Sequence, residues 1–316
     1  MNSSKNSGFT LTELMVAMAL SLTVLAGLYS FFLTHQRAYA IQAQLLEMRQ
    51  NLRIALEIIV EDIQGTGGTG IPPVAAVTVT NSTTGSDSLS LLVPVPSICP
   101  GVPQPVQIDT YHSAGSHMFL AGTCTKMEGK TGLLVDATGL NYRNLKITKV
   151  MIVNDKVEFE SSPFPVLSAS GLTTDYSGGT LVVLRQITYT VDLSSPSKPV
   201  LRRDLNVGAG PQPLANYIED LQVSLGYDRN SDGIITEVGN TANDDETVFN
   251  VPGENNATEA PTNLRTIKVI LVGRTRVQDP KLQGSLPAIL DRAEGGPNGY
   301  RRKTRGVRTQ IRNFGV

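Results

Sequence analysis

Gly8-Phe9-Thr10-Leu11-Thr12-Glu13-Leu14 opens the stretch that decides the fold. From residue 14 through residue 34 no side chain is ionisable apart from the phenol of Tyr29. An uncharged run of about 20 residues spans the hydrocarbon core of a bilayer as one helix. Residues 1–8 are all that precede it and no small-x-small cleavage site follows, so it does not read as an ordinary secretory signal. Lys5 and the amino terminus favour leaving residues 1–8 in the cytoplasm and exporting everything after Thr34. A carboxylate at a bilayer centre costs about 2.5 to 3.5 kcal/mol on insertion scales, so Glu13 at the mouth of the run requires a partner or an interfacial position.

The helical pattern continues past the run. Ile41, Leu45, Met48, Leu52, Ala55, Leu56, Ile59 and Ile63 recur at steps of three or four and draw one apolar stripe, while Gln42, Gln44, Glu47, Arg49, Arg53, Glu57 and Glu61 fill the other faces. Neither Pro nor Gly interrupts residues 29–64, and Gly65-Thr66-Gly67-Gly68 ends the pattern. The first half of this helix is apolar all round. The second half has one wet face and one dry stripe, and the stripe needs a surface to pack on.

That surface is predicted to be a sheet. Runs rich in Val, Ile, Thr and Tyr at residues 74–80, 89–95, 145–153, 157–160, 181–191, 217–227, 264–272 and 305–311 read as strands between Gly, Pro, Asn, Asp and Ser clusters. A spine helix laid across an antiparallel sheet is the economical architecture. Long loops are expected at 94–107, 161–179 and 238–263. Gly65-Thr66-Gly67-Gly68-Thr69-Gly70 matches a dinucleotide fingerprint in letters only, since it follows a helix and runs into Pro72-Pro73 instead of linking a strand to a helix.

With 27 Lys and Arg against 28 Asp and Glu in 316 residues, charge balance points neither to nucleic acid nor to an acidic substrate. The two cysteines, Cys99 and Cys124, suit one disulfide in an oxidising compartment. Two alternatives stand beside it: free thiols, and a zinc set in which His112 and His117 join the cysteines as Cys-x12-His-x4-His-x6-Cys across a Gly- and Ser-rich loop.

Asp228-Arg229-Asn230-Ser231-Asp232-Gly233-Ile234 is the opening half of an EF-hand-type calcium loop. Asp228, Asn230 and Asp232 supply oxygens at the first, third and fifth positions, the carbonyl of Ile234 serves the seventh, and Glu237 or a residue of Asp244-Asp245-Glu246 completes the shell. Position twelve is Gly239, so the full EF-hand fails, and an Asx-rich turn fits the same letters. The C-terminal stretch carries Arg301, Arg302, Lys303, Arg305, Arg308 and Arg312; Val307, Thr309 and Ile311 alternate with Arg308, Gln310 and Arg312, as a solvated or subunit-facing strand does, and DNA is a weaker reading. No nucleophile, base and orienting group occur together, so an enzyme is not expected.

The N-terminus resembles that of type IV prepilins and type II secretion pseudopilins: a Gly, then Phe-Thr-Leu, then Glu five residues after the cut. The resemblance implies cleavage between Gly8 and Phe9 by a membrane prepilin peptidase, methylation of the new Phe9 amine, and pairing of Glu13 with that amine on a neighbouring subunit during assembly. Residues 13–20, 48–57, Asp62-Ile63, 227–233 and the ending from Arg301 to Asn313 are similar to PilW-type minor pilins. A GspJ-like minor pseudopilin is the alternative. The fold implied is α+β and type IV pilin-like, a long N-terminal hydrophobic spine helix packed on a mainly antiparallel β-sheet globular domain. Its segments are a leader at 1–8, a membrane or filament-core half-helix at 9–34, an amphipathic half-helix at 35–64 and a β-rich globular domain at 65–316. The implied partners are prepilin peptidase, other minor pilins, the major pilin, a large tip adhesin and the inner membrane. Ser30 stands where many major pilins carry a kinking Pro, so no kink is expected.

Overall fold

The computed structural model describes residues 10–66, 76–95, 98–102, 105–112, 116–138, 142–161, 175–228, 246–248 and 264–311. The chain divides into two compact units, Met1–Glu47 and Met48–Val316. Helix α1 (Leu11–Gly65) begins in the first unit and ends in the second. In the first unit its large apolar side chains, from Leu11 through Phe32, are exposed. This helix is long and apolar enough to cross a membrane.

In the second unit, Met48, Leu52, Ala55, Leu56, Ile59 and Ile63 are buried, the last six positions of the stripe that the spacing predicts; Ile41 and Leu45, in the first unit, are half-buried. Each large apolar side chain so covered contributes about 1.5 to 3 kcal/mol. What they cover is more elaborate than a single sheet. Strands β1 (Val77–Thr80), β2 (Ser88–Pro94), β3 (Val106–His112), β4 (His117–Leu120), β5 (Thr131–Val135), β6 (Tyr142–Met151), β7 (Lys156–Ser161), β8 (Thr180–Asp192), β9 (Val200–Asp204) and β10 (Gln212–Asn216) form one antiparallel sheet. Strands β11 (Ile218–Tyr227), β12 (Glu246–Val248), β13 (Leu264–Arg274) and β14 (Arg302–Gln310) form a second, in the order β12-β11-β13-β14.

The first sheet closes on itself through β8. The early part of this strand pairs with β3 on one side (Val106↔Leu181) and β5 on the other (Leu134↔Leu181), and β3-β4-β7-β6-β5 completes the ring. Its interior is filled by alternate residues: Val106, Ile108, Met118, Leu120, Leu134, Leu145, Ile147, Val157, Phe159, Leu181 and Val183. The later part of β8 leaves this barrel and pairs with β2 (Leu89↔Tyr189) and β9 (Tyr189↔Arg203). One 13-residue strand thus serves a barrel at one end and the helix-bearing sheet at the other. The chain passes from the first sheet to the second at Tyr217, held at φ 59° between β10 and β11.

The predicted strands correspond to β1, β2, β6, β7, β8, β11, β13 and β14. The stretch between the two cysteines, expected as Gly- and Ser-rich loop, contains β3 and β4. Asp109, Thr110 and Ser116 interrupt the apolar alternation, so periodicity does not mark these strands. They persist because the ring supplies pairing partners on both sides.

Candidate functional site

Thr10 and Glu13 begin α1 with reciprocal hydrogen bonds. The Thr10 backbone N–H donates to Glu13 Oε2 at 2.9 Å, the Thr10 hydroxyl donates to the same oxygen at 2.8 Å, and the Glu13 N–H donates to Thr10 Oγ1 at 3.3 Å. This is a capping box, which satisfies helix N–H groups that have no carbonyl partner. Glu13 therefore has a local partner within one chain. Gly8 and Phe9, the expected cleavage pair, lie outside the described residues.

The end of the same helix carries a polar cluster that the sequence shows only as the Asp62-Ile63 part of a resemblance. Asp62 sits in the last turn, where a negative charge opposes the helix dipole. The conflict is resolved by the sheet. Arg203 donates from Nε to Oδ2 at 2.8 Å and from Nη2 to Oδ1 at 2.7 Å, and the Tyr189 hydroxyl donates to Oδ2. Tyr189 and Arg203 are register partners on β8 and β9, so they reach Asp62 from one face. Burial, and then the bond to Asp62, push the Tyr189 phenol well above its ordinary range and keep it a donor. Asn51 Nδ2, closer to the start of the packed segment, donates to the Asn216 carbonyl at 3.1 Å.

Cys99 and Cys124 form a disulfide, with no free cysteine. The thiolates needed for the Cys-His zinc set are consumed, so that alternative is corrected. The bridge joins the segment after β2 to the 3₁₀ turn Thr125–Met127, and Cys99 belongs to the barrel core. Closing a loop of 25 residues stabilises by about 3 to 4 kcal/mol in the chain-entropy model.

Of the calcium-loop residues, Asp228 is described. It is buried directly after β11, and its Oδ2 lies 3.4 Å from Arg265 Nε on β13. A buried carboxylate is an apt hard-ion donor, and its charge is already shared with a guanidinium. Asn230, Asp232, Ile234 and Glu237 lie outside the described residues. Among those described, no group of three or more His, Cys, Asp or Glu is arranged to hold an ion.

The C-terminal basic run divides in two. Arg301 pairs with Asp279 at 2.7 Å, and Arg302 forms a two-point contact with Glu219 at 2.7 and 3.0 Å. Arg274 Nη1 also reaches Glu219 Oε1, at 3.4 Å, and its guanidinium stacks over Tyr300 at 3.9 Å. Glu219 on β11 thus gathers Arg274 of β13 and Arg302 of β14, while Arg301 ties the residue before β14 to Asp279 in the segment after β13. Lys303, Arg305 and Arg308 remain exposed along β14, the edge of the second sheet.

Residues 3–29 match the prokaryotic N-terminal methylation motif. No curated protein matches the chain. Among solved structures, a type IV-like pilin from Thermus thermophilus is similar, with 13% identity, 60% of this chain and 87% of that chain covered, and a TM-score of 0.22. The methylation motif ends inside the exposed apolar half of α1, so the matched residues and the membrane-length helix are one continuous feature.

Proposed function

We propose that the chain is a minor pilin of the PilW type. Prepilin peptidase cuts it between Gly8 and Phe9, and the Phe9 amine is methylated. Residues 9–34 hold it in the inner membrane, with the β-rich part in the periplasm, until that helix is drawn into a type IV pilus. There it joins other minor pilins, the major pilin and a large tip adhesin in a priming complex. The role is structural rather than enzymatic, and nucleic acid is not a partner. A calcium ion held by Asp228, Asn230, Asp232, the Ile234 carbonyl and Glu237 belongs to the same proposal.

One observation carries the reading. An N-terminal methylation motif runs into a helix whose large apolar side chains are exposed through Phe32, whereas the same helix is buried on one stripe from Met48 onward. A surface that apolar requires lipid or other helices around it. Mass spectrometry of the mature chain tests the processing step: the expected N-terminus is methylated Phe9, and a chain still beginning at Met1 overturns it. Co-purification after cross-linking tests the assembly, because recovery with secretion pseudopilins alone replaces the pilin with the GspJ-like pseudopilin.

A further inference from the structure

With both cysteines in the disulfide, the two histidines between them acquire a different meaning. His112 on β3 and His117 on β4 are direct register partners, with ring centroids 4.7 Å apart and planes inclined by 30°. Alternation fixes their side of the barrel: Tyr111 and Met118 next to them are buried in its core, which turns residues 112 and 117 to its outer surface. His112 is exposed and His117 half-buried. Phe119 meets both rings edge-on, at 6.1 and 5.9 Å, and borders the pair on one side.

We propose that His112 and His117 form a two-point site for a divalent transition-metal ion of the zinc(II) or copper(II) kind. Directly opposed residues on antiparallel strands hold their Cβ atoms about 4.5 to 5.5 Å apart, and from there two imidazole nitrogens converge on one ion at about 2.0 to 2.1 Å by side-chain rotation alone. The pairing of β3 with β4 holds the two backbones in register, so binding costs the rotamer freedom of two rings and the contacts they already make. Imidazole nitrogen favours zinc and copper over calcium and magnesium, which separates this site from the oxygen-rich loop that starts at Asp228. Among the described residues no third His, Cys, Asp or Glu closes the shell, so water or a donor carried by a docking partner fills the remaining positions. Copper(II) binds more tightly than zinc(II), as the divalent series requires.

The chain has three histidines, and the remaining one, His35 on α1, cannot chelate alone, which makes the test clean. The full-length protein, purified in detergent without a polyhistidine tag, is titrated with zinc(II) by calorimetry and with copper(II) by electron paramagnetic resonance. One ion per chain is expected, with coupling to two imidazole nitrogens. His112→Gln and His117→Gln each weaken zinc binding by at least about tenfold. His35→Gln leaves binding unchanged. Both target side chains face outward, and melting temperatures of the variants measured without metal separate loss of ligands from loss of fold. Zinc heats that persist in the His112→Gln/His117→Gln double variant, or a copper spectrum without two-nitrogen coupling, overturn the proposal.

Discussion

Arg203 grips Asp62 at two points, Nε to Oδ2 at 2.8 Å and Nη2 to Oδ1 at 2.7 Å, and through this contact the last turn of α1 is bolted to β9. The Asp62 side chain is 11% exposed and that of Arg203 26%, so water screens the pair only in part. Asp62→Ala leaves a half-buried guanidinium and the Tyr189 hydroxyl without their acceptor, and is expected to cost about 2 kcal/mol in denaturant unfolding. Arg203→Met costs about the same. The Asp62→Ala/Arg203→Met double variant costs less than the sum of the two, and strict additivity would show that the pair does not couple.

At the other end of the helix, Glu13→Gln separates two roles. Gln is an accepted partner in a capping box, so the Thr10 hydrogen bonds and the helix content seen by circular dichroism should be retained. The negative charge is lost. If Glu13 pairs with the methylated Phe9 amine of a neighbouring subunit, incorporation into filaments falls by roughly tenfold or more, as loss of a charge pair of at least 1.4 kcal/mol requires. Wild-type incorporation of Glu13→Gln would leave Glu13 with the capping box alone.

The helix was legible because its signal is local. An uncharged run, a stripe at steps of three and four, and a glycine stop can all be read within one segment. Longer strands such as β8 and β13 were legible for the same reason. The barrel was not, since its closure is a property of β8 pairing with β3 and β5 at once, and no short-range pattern encodes that. Asp62 left one trace, an acid in a last helical turn, but its partners lie 127 and 141 residues away in sequence. The arginines at 301 and 302 looked like part of a surface patch because sequence does not reveal Glu219 and Asp279 beside them. For the Asp228 motif, the letters supplied all five donors and the described structure places one of them.

Calcium binding at that motif is tested by calorimetry on the full-length protein. Millimolar-range affinity is expected, as for extracellular modules, with magnesium unable to compete because it demands tighter octahedral geometry. Asp228→Asn keeps an oxygen donor but removes the charge, weakening calcium by roughly tenfold. It also deprives Arg265 of its 3.4 Å partner, so a loss of stability without calcium is expected alongside. Absence of calcium-specific heat in the wild type at millimolar concentration would remove the ion from the proposal.

A pH dependence is built into the turn between β1 and β2. Asp87 is buried and caps the edge of β11: its Oδ2 accepts from the Val223 N–H at 2.8 Å and its Oδ1 from the Ser82 N–H at 2.9 Å. Burial pushes its carboxyl up to about 6, against the two hydrogen bonds, and Asp291 and Asp220 add to the rise. Arg292, paired with Asp220, is the cation of this group. A raised carboxyl pKa means that the folded chain takes up a proton below about 6 while the unfolded chain waits until 3.8. Stability therefore rises as pH falls through this window, by up to about 3 kcal/mol from this group. Asp87→Asn removes the contribution, so the difference in melting temperature between variant and wild type should change between pH 7 and pH 4.5. A constant difference across that range would refute the titration of Asp87.

Two glycines distinguish the barrel from the helix platform. A Cβ on Gly179 would lie 2.1 Å from the Val135 carbonyl oxygen and 2.9 Å from Asp136 Cα, both backbone atoms of the β5 end. Gly179 cannot retreat, because its carbonyl accepts from the Ile108 N–H at 2.8 Å and Gly178 donates back to the Ile108 carbonyl at 2.8 Å. On Gly273 a Cβ would meet side chains instead, Met48 Cγ at 3.0 Å and Leu52 Cδ1 at 3.1 Å, which can yield by a few tenths of an ångström. Gly179→Ala is expected to cost about 3 kcal/mol or more, and Gly273→Ala about 1 kcal/mol. The losses should also differ in place. Hydrogen exchange in Gly179→Ala quickens in β3 and β5, with the packed part of α1 still protected, whereas Gly273→Ala loosens α1 around Met48 and Leu52. A Gly179→Ala variant as stable as wild type would mean that β5 and β8 do not close the ring at this end.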